Sequence, residues 1–289
     1  MTSATESNVE PDNYVASDGL VLPTWAAGPL YRFVLDLMSI HELLELSCAG
    51  ISQTRAAPQL TKLLHKLSHA SKVKDEKTQH LARVEKLAAL AEKEVQNDFP
   101  LLHAMSVVLL WSLLESFIRS YAAIWLEHTP RVFLSDQFQK LKVSIGEYES
   151  LEKEQRAMFL VEALERDLKI PLRFGIGRLE ALVEPFGLNG EVSNDLSRNL
   201  YELQKVRNLI AHRRGVVDHT FVKSCPWMNA VAGERLKVGS VEYSRYYRDV
   251  IDYIGLIIGR VRVKFGAASP ALPDTLEPTK TIIIPSVQS

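Results

Sequence analysis

Residues 195–218 read DLSRNLYELQKVRNLIAHRRGVVD, from Asp195 to Asp218. Leu196, Leu200, Leu203 and Ile210 recur at the spacing of an amphipathic helix, so this stretch predicts one long helix ending at Gly215, a natural C′ glycine. The position that completes the apolar stripe, four after Leu203 and three before Ile210, is Arg207. A guanidinium there must meet a carboxylate, a phosphate or other acceptors, because an unpaired buried charge is very costly. His212 follows five residues later, in the last turn.

That spacing has a geometric consequence. At about 100° per residue, His212 sits roughly 140° round the helix from Arg207 and about 7.5 Å further along. One straight helix therefore converges the pair poorly. Two copies facing each other across a two-fold axis bring Arg207 of one chain towards His212 of the other, so a homodimer is expected. Asn208, four residues before His212, shares the histidine's face.

Three stretches carry a family resemblance. Arg207-Asn-Leu-Ile-Ala-His212 matches an Arg-x4-His motif. Trp111-Ser-Leu-Leu-Glu115-Ser-Phe-Ile-Arg119-Ser-Tyr121 and the segment from Leu172 to Gly187 accompany it. Together they resemble the HEPN superfamily, near its RiboL-PSP type, over roughly residues 100 to 265. The resemblance implies an all-α, HEPN-like helical bundle and metal-independent endoribonuclease activity. It also implies a toxin or defence role with an antitoxin or defence partner protein. In that reading Arg207 stabilises the scissile phosphate, His212 handles the proton and Asn208 orients one or both. Products would be a 2′,3′-cyclic phosphate and a 5′-hydroxyl. HEPN domains also serve as non-catalytic modules that dimerise and bind RNA or a partner protein, which is the alternative. HEPN toxins paired with nucleotidyltransferases often carry a tyrosine two residues after the histidine; here Arg214 stands there.

The chemistry fits those residue types. RNA carries its own nucleophile, the 2′-hydroxyl, so cleavage needs a proton-transfer group titrating near neutrality and a cation facing the phosphate. Histidine supplies the first and arginine the second, with paired hydrogen bonds. Residues 198–214 hold Arg198, Lys205, Arg207, Arg213 and Arg214 against the single acid Glu202. Lys205, Arg213 and Arg214 are the candidate RNA-backbone contacts. Glu115 lies in an apolar helix with Arg119 four residues on. It either pairs locally with Arg119 or bridges to Arg207 to position two helices, which is the structural reading. In the functional reading it holds Arg207 or another basic group in the orientation that receives phosphate, and Glu115 and Arg119 then support the site.

The 289 residues carry a net charge of −1 and are 46% hydrophobic, which excludes a globally basic nucleic-acid binder and leaves material for a sizeable core. Cys48 and Cys225 sit in no metal-ligand spacing, and no P-loop, GxGxxG or GxSxG is present, so neither metal nor cofactor is expected. His65 and His69, four apart, lack a third ligand nearby and read as surface histidines. The N-terminus lacks the basic start and apolar core of a signal peptide. Ala104 to Leu126 is apolar but interrupted by Glu115 and Arg119, so it reads as a core helix. A cytoplasmic protein with no membrane partner is expected.

Four segments follow. Residues 1–24 are expected to be disordered and 25–98 to form an N-terminal helical extension, with helices at Pro29–Leu46, Gln59–His69 and Asp75–Val95. Residues 99–265 form the HEPN-like domain, with helices at 101–127, Glu149–Leu168, Ile176–Phe186, the 195–214 stretch and Arg245–Phe265. Val238–Tyr243 alternates weakly, as a short strand or a loop, and 266–289 is a flexible Pro-rich tail.

Overall fold

The computed structural model describes residues 13–67, 74–167 and 175–267. In chain order it contains a hairpin of β1 (Asn13–Val15) and β2 (Val21–Pro23), then helices α1 (Thr24–Thr54), α2 (Ala57–Leu67), α3 (Lys74–Gln96) and α4 (Pro100–His128). The short helices α5 (Asp136–Gln139) and α6 (Ile145–Ser150) precede α7 (Lys153–Asp167), α8 (Gly177–Val183) and α9 (Asn194–Arg213). α10 (His219–Ser224) and α11 (Ser240–Lys264) follow, and the described residues are all-α apart from the hairpin.

Helix α4 is the axle. Apolar residues occupy nearly all its faces, and Val107, Leu110, Leu114, Ile118 and Tyr121 are fully withdrawn from solvent. Its length and hydropathy would also suit a membrane span. In this fold it is instead wrapped by α1, α7, α8, α9 and α11. α1 contributes Ala26, Leu30, Phe33, Leu37 and Leu44 to the same core. Tyr121 reaches back to donate to the Ala26 carbonyl at 2.8 Å, and Trp25 stacks on His128 with ring centroids 4.4 Å apart.

Several expectations need correction. Residues 13–23, expected to be disordered, form an antiparallel hairpin pairing Asn13 with Pro23 and Val15 with Val21. Gly19 turns it at φ +82°, and Asp18 ties it to Arg262 of α11. Three-residue strands leave no periodic signal, so composition alone misled. α1 runs past the expected end at Leu46 to Thr54, and it packs on α3. The expected helix 149–168 is two, broken between Ser150 and Lys153. His69, and with it the His65–His69 pair, falls outside the described residues, as do 168–174 and the tail from 268.

The 238–243 segment is neither strand nor loop throughout, since α11 begins at Ser240. Its cap comes from far away in sequence: the Asp98 carboxylate accepts from Ser240 N at 2.6 Å and Oγ at 2.8 Å. Asp98 and Phe99 both take left-handed backbone, at φ 59° and 48°, in the turn between α3 and α4. That turn delivers an anion to the positive end of α11.

Candidate functional site

Helix α9 is started by Ser193, whose hydroxyl accepts from Leu196 N at 3.3 Å. Its buried row is Leu200, Leu203, Val206 and Leu209, while Leu196 and Ile210 are partly buried at its margin. Arg207 therefore stands beside the stripe and not within it, half-buried at the seam between α9 and α4. The helix ends at Arg213 with Gly215 in the expected C′ place, and the left-handed turn takes in both Arg214, φ 55°, and Gly215, φ 76°. Both N–H groups point to the Leu209 carbonyl, Gly215 at 3.0 Å.

Two consecutive motif residues are joined through their side chains. Arg207 Nη1 donates to Asn208 Oδ1 at 3.0 Å. Asn208 lies four residues before His212, so this amide links the arginine's face of the helix to the histidine's. His212 itself is exposed, as are Arg213 and Arg214. Arg213 lies 3.8 Å from Asp218, and Lys205 covers the Tyr201 ring at 5.0 Å. One chain does not bring Arg207 and His212 onto one face.

Behind Arg207 runs a ladder of charges across four helices. Arg207 Nη2 is 3.9 Å from Glu115, and Arg119 lies 3.5 Å from the same carboxylate. Arg119 then donates to Glu165 at 2.7 and 3.1 Å, and Arg178 of α8 reaches Glu165 at 2.9 Å. Both alternatives left open for Glu115 are realised together, since it faces Arg119 and Arg207. The Glu165 hydrogen bonds hold Arg119 even further above the ordinary arginine range. Glu165 is buried, and its desolvation is offset by two guanidinium groups. Three arginines share these two carboxylates, and Glu162 adds its negative charge to the field at Arg119. Arg207 Nε is buried and makes no hydrogen bond among the described residues.

A second polar centre on α9 left no trace in the sequence reading. Glu202, seen there only as the lone acid in a basic run, is 2% exposed. Its carboxylate accepts from Trp227 Nε1 at 2.5 Å and from the Tyr246 hydroxyl at 2.6 Å, and it pairs with Arg245. Asn199 donates to Asp249 at 3.2 Å, and Arg245 donates to Asn199 at 3.3 Å. Asp249 Oδ2 is buried without a partner, and burial pushes this carboxyl up to about 6. A cleft of about 300 Å³ opens beside this network, lined by Arg198, Trp227, Met228 and Glu242 among others. Every oxygen of Glu202 is engaged, so the centre reads as a brace between α9, α11 and the 226–228 turn. The partners come from positions 25 to 50 residues away, which no local pattern reveals.

Among the described residues, no group of three His, Cys, Asp or Glu side chains could hold a metal ion. Both cysteines are free, and burial pushes the Cys225 thiol up to about 12. Comparison with protein-family models, curated proteins and solved structures finds no match to this chain.

Proposed function

We propose that this chain is a metal-independent endoribonuclease of HEPN type, with Arg207 facing the phosphate, Asn208 fixing its orientation and His212 transferring the proton. The observation that carries the reading is the Arg207–Asn208 hydrogen bond at 3.0 Å. It couples the first two residues of the motif on a guanidinium already backed by Glu115. Arg207 keeps donors that Glu115, at 3.9 Å, does not take up, and arginine delivers paired hydrogen bonds to phosphate oxygens. Arg213, Arg214 and Lys205 supply further cations for the RNA backbone.

The complete site draws on two copies, because His212 of the same chain lies on the wrong face. The α4 surface supports such an assembly. At about 100° per residue, Leu101, Met105 and Leu109 fall in one stripe about 120° wide with Glu115 and Arg119. All three apolar residues are at least half exposed. An apolar stripe running into the residues that hold Arg207 fits a homodimer seam.

A non-catalytic, HEPN-like interaction module is the second reading, favoured by the ion pair that draws Arg207 towards Glu115. Incubating the full chain with total RNA in EDTA separates the two. Cutting that disappears in His212→Ala and in Arg207→Ala, with 2′,3′-cyclic phosphate ends, is the expected result. Equal cutting by wild type and His212→Ala removes the histidine from the mechanism, and RNA binding without cutting establishes the module.

A further inference from the structure

Helix α2 is packed inside out. Leu60, Leu63, Leu64 and Leu67 recur at the helical spacing that normally marks a buried stripe. Yet they are 58%, 53%, 55% and 67% exposed, and no residue of α2 is buried. The opposite, polar side of the helix faces α3. Lys62 pairs with Glu85 at 2.8 Å, and the His65 and His80 rings lie 5.9 Å apart. With Arg55 at 3.5 Å from Glu92, these contacts set α2 antiparallel to α3 and leave the leucine row outward.

The charge of this hairpin departs from that of the rest of the chain. Residues 57–96, from the start of α2 to the end of α3, contain eight Lys/Arg and five Asp/Glu, a net charge of +3 in a protein whose total is −1. A helix with an apolar row along one side, set within an excess of cations, has the composition of an interfacial helix.

We propose that the α2–α3 hairpin docks on the surface of an anionic lipid bilayer, with the four leucines at the acyl boundary and the lysines among the headgroups. Charge and shape select this occupant. A nucleic acid would satisfy the cations and leave the leucines in water. A second copy would set one +3 segment against another. A convex row of leucines on a single helix fits a deformable surface, and the anionic headgroups match the cations that flank it. The sequence leads to the expectation of no membrane partner, and docking of this hairpin departs from it.

The test is flotation of the full chain with vesicles of phosphatidylcholine alone and of phosphatidylcholine mixed with phosphatidylglycerol. Wild type should float with the anionic vesicles and at least about tenfold less with the neutral ones or in about 0.5 M salt. Leu63→Asp combined with Leu67→Asp should abolish flotation with an unchanged circular dichroism spectrum, because both side chains are exposed. Lys66→Glu combined with Lys77→Glu, which spares the leucines, should reduce it at least about tenfold. Failure of wild type to float, or flotation retained by the leucine variant, overturns the proposal. So does a leucine variant that dissociates an oligomer in light scattering, which would assign the row to a second copy. RNA cutting by the same preparations is scored separately, so docking and cleavage fail independently.

Discussion

The Arg207 guanidinium and the Glu115 carboxylate stop 3.9 Å apart, outside hydrogen-bond distance, although both are largely withdrawn from solvent. Glu115 therefore sets the field at Arg207 without saturating its donors. Arg119, on the other side of the same carboxylate, keeps Glu115 from moving wholly towards Arg207. Replacing Glu115 with Gln leaves three guanidinium groups with Glu165 alone. The expected outcome is a loss of about 1 kcal/mol in stability, since the pair is only partly buried. If the proposed ribonuclease reading holds, RNA cutting in EDTA should fall about tenfold, through kcat more than KM, because Arg207 loses the group that orients it. Urea unfolding and initial rates on one substrate check both. A Gln variant with full activity would show that Glu115 serves the fold alone.

Glu202 makes a harsher case. It is almost fully buried and takes three donors, one of them the charged Arg245. Glu202→Gln keeps the shape but leaves Arg245 without its counter-charge and forces an N–H among donors. Breaking one side of a buried pair in this way costs about 3 kcal/mol or more. Chemical denaturation should register that loss, and Trp227 fluorescence should shift red as the 226–228 turn comes away.

The long helices were legible in the sequence because 3.6-residue periodicity survives wherever a helix buries one side. α3, α4, α9 and α11 all follow it to within a few residues. The role of Glu115 was legible in outline, since a carboxylate inside an apolar helix must find a cation. Three features were not legible, each for a physical reason. The hairpin at 13–23 is too short to show alternation. The cap on α11 comes from Asp98, 142 residues away. The leucines of α2 carry a perfect burial pattern, yet burial depends on what the fold places opposite, and α3 meets the other side. Arg207 shows a subtler failure: the stripe read through Leu203 and Ile210 was displaced by Val206 and Leu209, which put the arginine at the edge of the core.

Arg214 holds a left-handed conformation, φ 55°, that a side chain with a β-carbon adopts reluctantly. The neighbouring Gly215 takes the same region without strain. Arg214→Gly should therefore stabilise the protein by about 1 kcal/mol, the steric cost of a non-glycine residue there. The side chain is exposed, so little packing is lost. Thermal melting should rise, while RNA binding weakens and its salt dependence becomes shallower by about one counterion. A melting point that falls would mean that the Arg214 side chain contributes contacts worth more than the strain.

Asp249 gives the chain a pH dependence of definite sign. Burial lifts its folded-state carboxyl to about 6 from an ordinary value of 3.8, with Asn199 and Arg245 pulling the other way and Asp252 and Glu202 adding to the rise. Below pH 3.8 the group is protonated in both folded and unfolded chains and contributes nothing to the difference. Between 3.8 and about 6 the unfolded chain releases the proton first, so folding is progressively disfavoured as pH rises. Above about 6 the full cost is present and constant, on the order of 2–3 kcal/mol for a shift of this size. Asp249→Asn keeps the acceptor for Asn199 and cannot ionise. It should flatten the slope of urea stability between pH 4 and 6 and leave the variant more stable than wild type at pH 7.5. At pH 4 the two proteins should unfold at nearly the same urea concentration. An identical slope in both would place the buried proton elsewhere in the Glu202 network.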